Sequence, residues 1–215
     1  MKKNQDNFNY IVISATEKVQ VVTNVIALTN SSHAFEADDL LSLIEDALAG
    51  KDIAELDAVF IDVGPGSFTG IRASMSLVKG LSATGKLKVI PFTSFDLLSY
   101  NASKQPRIEV VAGFSNYVYA RFYAGGKSKM DCLTFDELAL IVKEQALDVY
   151  TNVQGIIDKL ASILGSQKGL FLAPKDMKTI YEKYNNNKLE KVDFVPIYLR
   201  ASQAEIMREA KLRNK

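Results

Sequence analysis

The sequence predicts an α/β protein of two related lobes. Short apolar runs rich in Val, Ile and Tyr alternate with segments whose apolar residues recur every three or four positions. The same order, a strand meander followed by alternating helices and strands, occurs once in each half. With 215 residues, 47% of them apolar and 24% charged, the chain can bury a core without disulfide or metal staples.

The first half opens with strands at Phe8–Ser14 and Lys18–Asn24, and a third near Val25–Thr29. A helix is predicted over Glu36–Ala49 because Ala37, Leu40, Leu41, Ile44, Ala47 and Leu48 fall on one stripe, with Gly50 as its cap. Ala58–Val63 is a continuous apolar run, as expected of a central strand covered on both faces. The glycine-rich loop Gly64-Pro65-Gly66-Ser67-Phe68-Thr69-Gly70 follows. A second helix is predicted over Ile71–Thr84, with Ile71, Ser74, Met75, Val78 and Leu81 on one face. Leu87–Pro91 reads as a strand and Ser94–Ser103 as a helix capped by Ser94.

The second half begins with strands Ile108–Gly113 and Tyr117–Ala124, joined at Ser115-Asn116, and Ser128–Leu133 after Gly125-Gly126. Thr134 and Glu137 form a capping box that opens a helix over Phe135–Gln145. Leu147–Thr151 and Gly169–Leu172 read as strands. Ile156–Leu164, Met177–Tyr184 and Gln203–Leu212, the last preceded by Ser202, read as helices. The best boundary lies near Asn101–Pro106. Residues 1–103 are expected to form a first lobe holding the glycine loop. Residues 104–215 are expected to form a second, with the last helix free to pack back on the first.

Composition narrows the chemistry. A single cysteine, Cys132, forbids an intramolecular disulfide, and a single histidine, His33, forbids a His-rich metal site within one chain. Net charge is +1, which does not announce a nucleic-acid binder. That balance hides an acidic first helix region (Glu36, Asp38, Asp39, Glu45, Asp46, Asp52, Glu55 and Asp57 facing only Lys51) and a lysine-rich second half with Lys168, Lys175, Lys178, Lys183, Lys188 and Lys191. A polar N-terminus and the lack of any apolar stretch near ~18 residues predict a cytoplasmic protein with no membrane partner.

The glycine loop sits between a strand and a helix, where free N–H groups favour an anion. No standard signature fits. A P-loop needs Lys-Ser/Thr after the last glycine, but Ile71-Arg72 stand there. A dinucleotide fingerprint starting at Gly64 needs a glycine where Thr69 stands, and a nucleophile elbow around Ser67 needs one where Pro65 stands. Arg72, in the first helical turn, is suited to a phosphate or carboxylate, or to a surface ion pair. A tight structural turn is the plain alternative.

The run Gly64-Pro65-Gly66-Ser67-Phe68-Thr69-Gly70-Ile71-Arg72 with Lys79-Gly80-Leu81, and the tail Pro196-Ile197-Tyr198-Leu199-Arg200 with Ser202-Gln203-Ala204-Glu205, resemble the TsaB (YeaZ) family. The resemblance implies two actin-like ATPase (RNase H-like) lobes, each a mixed sheet flanked by helices. It implies a non-catalytic partner of a TsaD protein. With the TsaE ATPase, that pair transfers threonylcarbamoyl to the N6 amine of the adenosine next to the anticodon of tRNA, after a TsaC-type enzyme has made threonylcarbamoyl-adenylate. ATP and Mg are then used by the complex, and no cofactor is implied for this chain alone. The resemblance also implies that the two first-lobe helices meet TsaD helices in a bundle.

The chain departs from the family at Ser14-Ala15-Thr16, where relatives carry Asp-Thr-Ser, at Glu36-Ala37-Asp38, and at Gly113-Phe114-Ser115. Ser14-Ala15-Thr16 offers no carboxylate to hold Mg²⁺ as an actin-like ATPase does. The candidate partner interface is Leu40, Leu41, Ile44 and Leu48 on the first helix and Ile71, Met75 and Val78 on the second. Leu43 and Leu77 widen the apolar surface beyond one core contact, the alternative being a wide stripe that faces the chain's own core. The same helices would serve a homodimer in isolation. The candidate nucleotide, anion or complex-interface loop is Gly64, Gly66, Ser67, Phe68, Thr69, Gly70 and Arg72. No catalytic or metal-binding residue is assigned. The alternative is an actin-like phosphotransferase or hydrolase that uses this loop for nucleotide. Direct contact with tRNA is left open.

Overall fold

The structure, a computed structural model, describes residues 9–24, 27–29, 37–85, 87–100, 106–124 and 127–201. Among the described residues it contains two five-stranded sheets. The first comprises β1 (Tyr10–Ser14), β2 (Gln20–Thr23), β3 (Ala27–Thr29), β4 (Ala58–Asp62) and β5 (Lys88–Phe92), in the order β3-β2-β1-β4-β5. The second comprises β6 (Arg107–Ala112), β7 (Tyr117–Ala124), β8 (Lys127–Thr134), β9 (Asp148–Thr151) and β10 (Leu170–Leu172), in the order β10-β9-β6-β7-β8. Each sheet starts with an antiparallel meander of three strands and adds two parallel strands to the opposite side of its first strand. The repeated order of elements in the sequence is thus a repeated topology. Both sheets are mixed, as expected.

Helices α1 (Ala37–Leu48) and α2 (Phe68–Leu81) cover one face of the first sheet. Leu40, Ile44, Ile71 and Val78 pack there on Ile11, Ile13, Val59 and Ile61. Burying each such side chain contributes about 1.5–3 kcal/mol. Helices α3 (Phe135–Gln145) and α4 (Gln154–Leu164) cover the second sheet in the same way, through Leu138, Val142, Ile156 and Leu160. The remaining faces are covered by exchange between the halves. Helix α5 (Lys178–Asn185) returns to the first sheet, where Ile180, Tyr181 and Tyr184 meet Tyr10, Val12 and Phe60. Tyr181 stacks on Tyr10 at 4.2 Å, and Tyr184 meets the Phe60 ring edge-on at 5.3 Å. In the other direction, Phe95 and Leu98 from the first half cover Val111 and Tyr119 of the second sheet.

Boundaries differ from expectation where local hydrogen bonding decides. Helix α2 begins at Phe68 rather than Ile71, because the Ser67 hydroxyl accepts from the Gly70 N–H and caps a turn that the glycines concealed. The predicted helix Ser94–Ser103 is a single 3-10 turn, Ser94–Leu97. Its cap is Thr93, paired with Asp96 in a capping box, and Ser94 is spent elsewhere. The capping box of Thr134 and Glu137 forms as expected. His33, Glu36, most of the boundary segment at Asn101–Pro106 and the helix Gln203–Leu212 lie outside the described residues.

Candidate functional site

The glycine loop leaves β4 at Asp62 and lies against the β1–β2 turn. Ser67 N–H donates to the Thr16 carbonyl at 2.8 Å and Ser94 N–H to the Gly64 carbonyl at 2.9 Å. Gly64 has φ +109°, a backbone conformation that a side chain would strain. Gly70 is required by space. A Cβ there would stand 1.8 Å from the Ala15 carbonyl oxygen, so α2 can enter this close to β1 only without a side chain.

Beneath the loop lies Asp62, completely buried. Its carboxylate accepts from Ser14 Oγ at 2.7 Å, Thr16 Oγ1 at 3.0 Å, Ser94 Oγ at 2.9 and 3.0 Å, and the Gly64 N–H at 2.9 Å. Burial pushes this carboxyl above its ordinary 3.8, with the Gly64 and Ser14 bonds, Lys175 and Ser94 working against it. The sequence left Asp62 as a lone carboxylate near a strand end. The structure makes it the knot that ties β1, β4, the loop and the Thr93–Asp96 turn. Ser14 and Thr16 supply two of its donors.

A cavity of about 410 Å³ opens beside the loop. Gly66, Ser67 and Phe68 form one wall, with Thr16 and Glu17. Gly113, Phe114 and Tyr119 of the second half form another, and Arg200 closes it. Glu17 is paired with Lys175 at 2.9 Å. The Phe68 ring stacks on Tyr198 at 4.1 Å, and Arg72 lies over both rings while its Nε donates to the Tyr198 hydroxyl at 2.9 Å. Arg200 sits 4.5 Å from the Tyr117 ring centroid. Of the loop candidates, Gly66, Ser67 and Phe68 line the cavity. Gly64 and Gly70 are buried spacers, and Thr69 and Arg72 face outward. Among the described residues no group of three His, Cys, Asp or Glu side chains is placed to hold a metal ion, and no helix is long and apolar enough to cross a membrane.

The interface candidates separate. Leu40, Ile44, Ile71, Met75 and Val78 are buried in the chain's own core, and Leu48 is half-buried against it. This corrects the expectation that their stripe meets a partner, because the three- and four-residue spacing marks the face turned to the sheet. Leu41, 46% exposed, points the other way, and Leu43 and Leu77 are half-buried.

Sequence reasoning missed a second polar centre. Arg121, only 2% exposed on β7, binds Glu109 at 2.6 and 2.7 Å, Asp96 at 2.9 Å, Glu190 at 3.1 Å and Thr93 Oγ1 at 3.0 Å. Burial alone would lower the Arg121 pKa, but Asp96 and Glu109 raise it further than burial lowers it. The available signal was an arginine at an inward position of the run Val118-Tyr119-Ala120-Arg121-Phe122, paired with a glutamate inside Ile108-Glu109-Val110.

The family model described as TsaD, tRNA N6-adenosine threonylcarbamoyltransferase, matches residues 30–181. A curated protein of Haemophilus influenzae, named tRNA threonylcarbamoyladenosine biosynthesis protein TsaB, is 31% identical over 112 residues. That match covers 49% of this chain and 48% of the relative, about half the length of each. Two solved structures from Pseudomonas aeruginosa share the fold. One is described as an uncharacterized protein with similarity to peptidase YeaZ, at TM-score 0.63 and 19% identity, covering 90% of this chain and 100% of that one. The other is YeaZ, at TM-score 0.62 and 19% identity, covering 89% and 100%. The architecture is therefore the actin-like (RNase H-like) fold of the YeaZ structures. The chain belongs to the family of the threonylcarbamoyltransferase model, which matches most of its length.

Proposed function

We infer that the chain is a non-catalytic accessory subunit in the synthesis of N6-threonylcarbamoyladenosine in tRNA, binding and activating a TsaD-type transferase. The observation that carries this reading is the state of Asp62. It is the carboxylate beneath the glycine loop, and both of its oxygens are occupied by donors from the chain's own hydroxyls and backbone. A carboxylate so engaged serves structure rather than metal binding or base catalysis, and Glu17, the other carboxylate at the cavity, is paired with Lys175. The name of the H. influenzae relative supports the pathway, and the match to a TsaD model supports a related partner of similar fold. In this reading ATP and Mg belong to the complex with TsaD and the TsaE ATPase, the chain alone holds no cofactor, and the protein works in the cytoplasm.

The surface for that partner is the outer side of α1, where Leu41 stands among exposed Ser42, Glu45 and Asp46. Such an apolar anchor with an acidic rim suits a helix bearing Lys or Arg beside its own apolar stripe. The test is light scattering of the chain mixed with its TsaD homologue. A heterocomplex at micromolar concentration is expected, and its absence would refute the reading. Leu41→Glu should abolish pairing while changing stability by no more than about 0.5 kcal/mol. Met75→Glu should instead unfold the chain, at a cost of about 3 kcal/mol or more, because Met75 is core.

The cavity beside Ser67 favours one other reading, an actin-like phosphotransferase or hydrolase. ATP turnover by the isolated chain, lost on Ser67→Ala or Arg72→Ala, would establish it.

A further inference from the structure

A second cavity, about 590 Å³, shares no lining residue with the first. Its size is within the range of small-molecule sites. Its walls come from the segment after the Thr93–Asp96 turn (Ser99, Tyr100), from β6 and β7 (Arg107, Tyr123) and from α5 (Thr179, Lys183). Asp96, Glu109 and Glu190 are engaged with Arg121, whereas Arg107, Lys183 and Lys188 keep donors in reserve. Asp96 accepts from Arg121 through Oδ1 and from the Thr93 N–H and hydroxyl through Oδ2. Glu109 accepts from the Tyr100 hydroxyl and from Arg121. Glu190, bound to the same Arg121, also accepts from Ser128 at 2.5 Å. All three acids are engaged.

Apart from Arg121, the cations keep donors in reserve. Arg107 gives Nε to the Tyr100 hydroxyl at 2.9 Å, lies over the Tyr123 ring at 3.9 Å and stands 3.8 Å from Glu109. Its two terminal nitrogens have no hydrogen-bond partner among the described residues. Lys183 donates to the carbonyls of Asp96 and Leu98, neutral acceptors that leave a third N–H over. Burial lowers its pKa despite the nearby acids. The Lys188 ammonium has no partner among the described residues, nor do the hydroxyls of Ser99, Thr179 and Tyr123. The lining carboxylate in the same condition is Glu182, exposed on α5. With Glu182 and Glu190 counted, the four cations around this cavity face four acids, so hydrogen-bond donors rather than net field select the ligand.

We propose that this cavity binds a small hydroxyl-bearing phosphate monoester, its phosphate held by Arg107, Lys183 and Lys188 and its hydroxyls by Ser99, Thr179 and Tyr123. Three separate cationic donors match the three oxygens of a tetrahedral head better than the two of a carboxylate. Nothing in the first cavity or in the accessory role requires this site.

The test is calorimetric titration of the full chain with ribose 5-phosphate, inorganic phosphate and ribose. Ribose 5-phosphate should bind, inorganic phosphate about tenfold more weakly, and ribose not measurably. Lys188→Ala, which changes an exposed side chain, should weaken ribose 5-phosphate about fivefold, and Arg107→Gln about tenfold or more. Lys168→Ala, outside the cavity, should leave it unchanged. Raising NaCl from 0.15 to 0.5 M should change affinity less than about threefold, because the site is neutral overall. No binding at 10 mM overturns the proposal. So does equal weakening by Lys168→Ala and Lys188→Ala, or a collapse of affinity in salt, either of which would mean an adventitious anion on surface lysines.

Discussion

Asp62 shows how one buried group turns the neighbouring sequence from chemistry to structure. Four donors converge on a side chain that can only accept when ionised, so an amide there would aim its NH₂ at other donors. Asp62→Asn should cost about 2–4 kcal/mol in urea unfolding. The pH dependence has a defined sign. The folded carboxyl is raised above its ordinary 3.8 by burial, so the folded state keeps a proton that the unfolded chain has lost. The stability contributed is complete below 3.8 and is lost as pH rises through the folded value. The advantage of the wild type over Asp62→Asn should therefore shrink as pH rises above the ordinary carboxyl value of 3.8. A gap that widens over this range would show that the donors outweigh burial. None of this was legible from Asp62 alone, because Ser14, Thr16 and Ser94 reach it from 32 to 48 residues away.

At the scale of elements, periodicity located the five described α-helices and placed most strands, missed the short 3-10 turn at Ile53–Glu55, and could not assign a helix face to its neighbour. A stripe of Leu40, Ile44, Met75 and Val78 looks the same in sequence whether it meets its own sheet or another chain. Width did not separate them either, since Leu43 and Leu77 also pack on the core. The exposed Leu41 is one turn away from nothing unusual in sequence and was legible only as part of the stripe. The entry of α2 was better encoded. Gly70 is a spacing requirement, and Gly70→Ala should cost about 3 kcal/mol or more by driving a methyl into the Ala15 carbonyl. The measurement is the urea midpoint. A loss below about 1 kcal/mol would mean that α2 can retreat from β1 without penalty.

For the whole molecule, the boundary near Asn101–Pro106 describes the order of strands better than it describes the packing. Both sheets were foreseen, but the exchange of covering elements was not, because helix α5 reads as an ordinary amphipathic segment of the second half. The residues that cover Tyr10, Val12 and Phe60 lie at Met177, Ile180, Tyr181 and Tyr184. The tail then crosses back, with the Ile197 N–H bonding the Val63 carbonyl at 2.8 Å and Leu199 packing under the second sheet. A fragment of residues 1–103 should therefore be insoluble or molten by near-UV circular dichroism and dye binding, although it contains five strands and two helices. A fragment that folds cooperatively would show that α5 is dispensable to the first sheet.

The return of α5 to the first sheet also sets a clock on synthesis. The last strand of that sheet leaves the ribosome at Phe92, yet one of its faces has no cover until Tyr184 has been made. At ~5–20 residues per second, the nascent chain carries a bare apolar sheet for roughly 5–20 s. The first lobe, though earliest in the sequence, waits for the end of the second to be covered, and that interval is when a chaperone has the most apolar surface to hold.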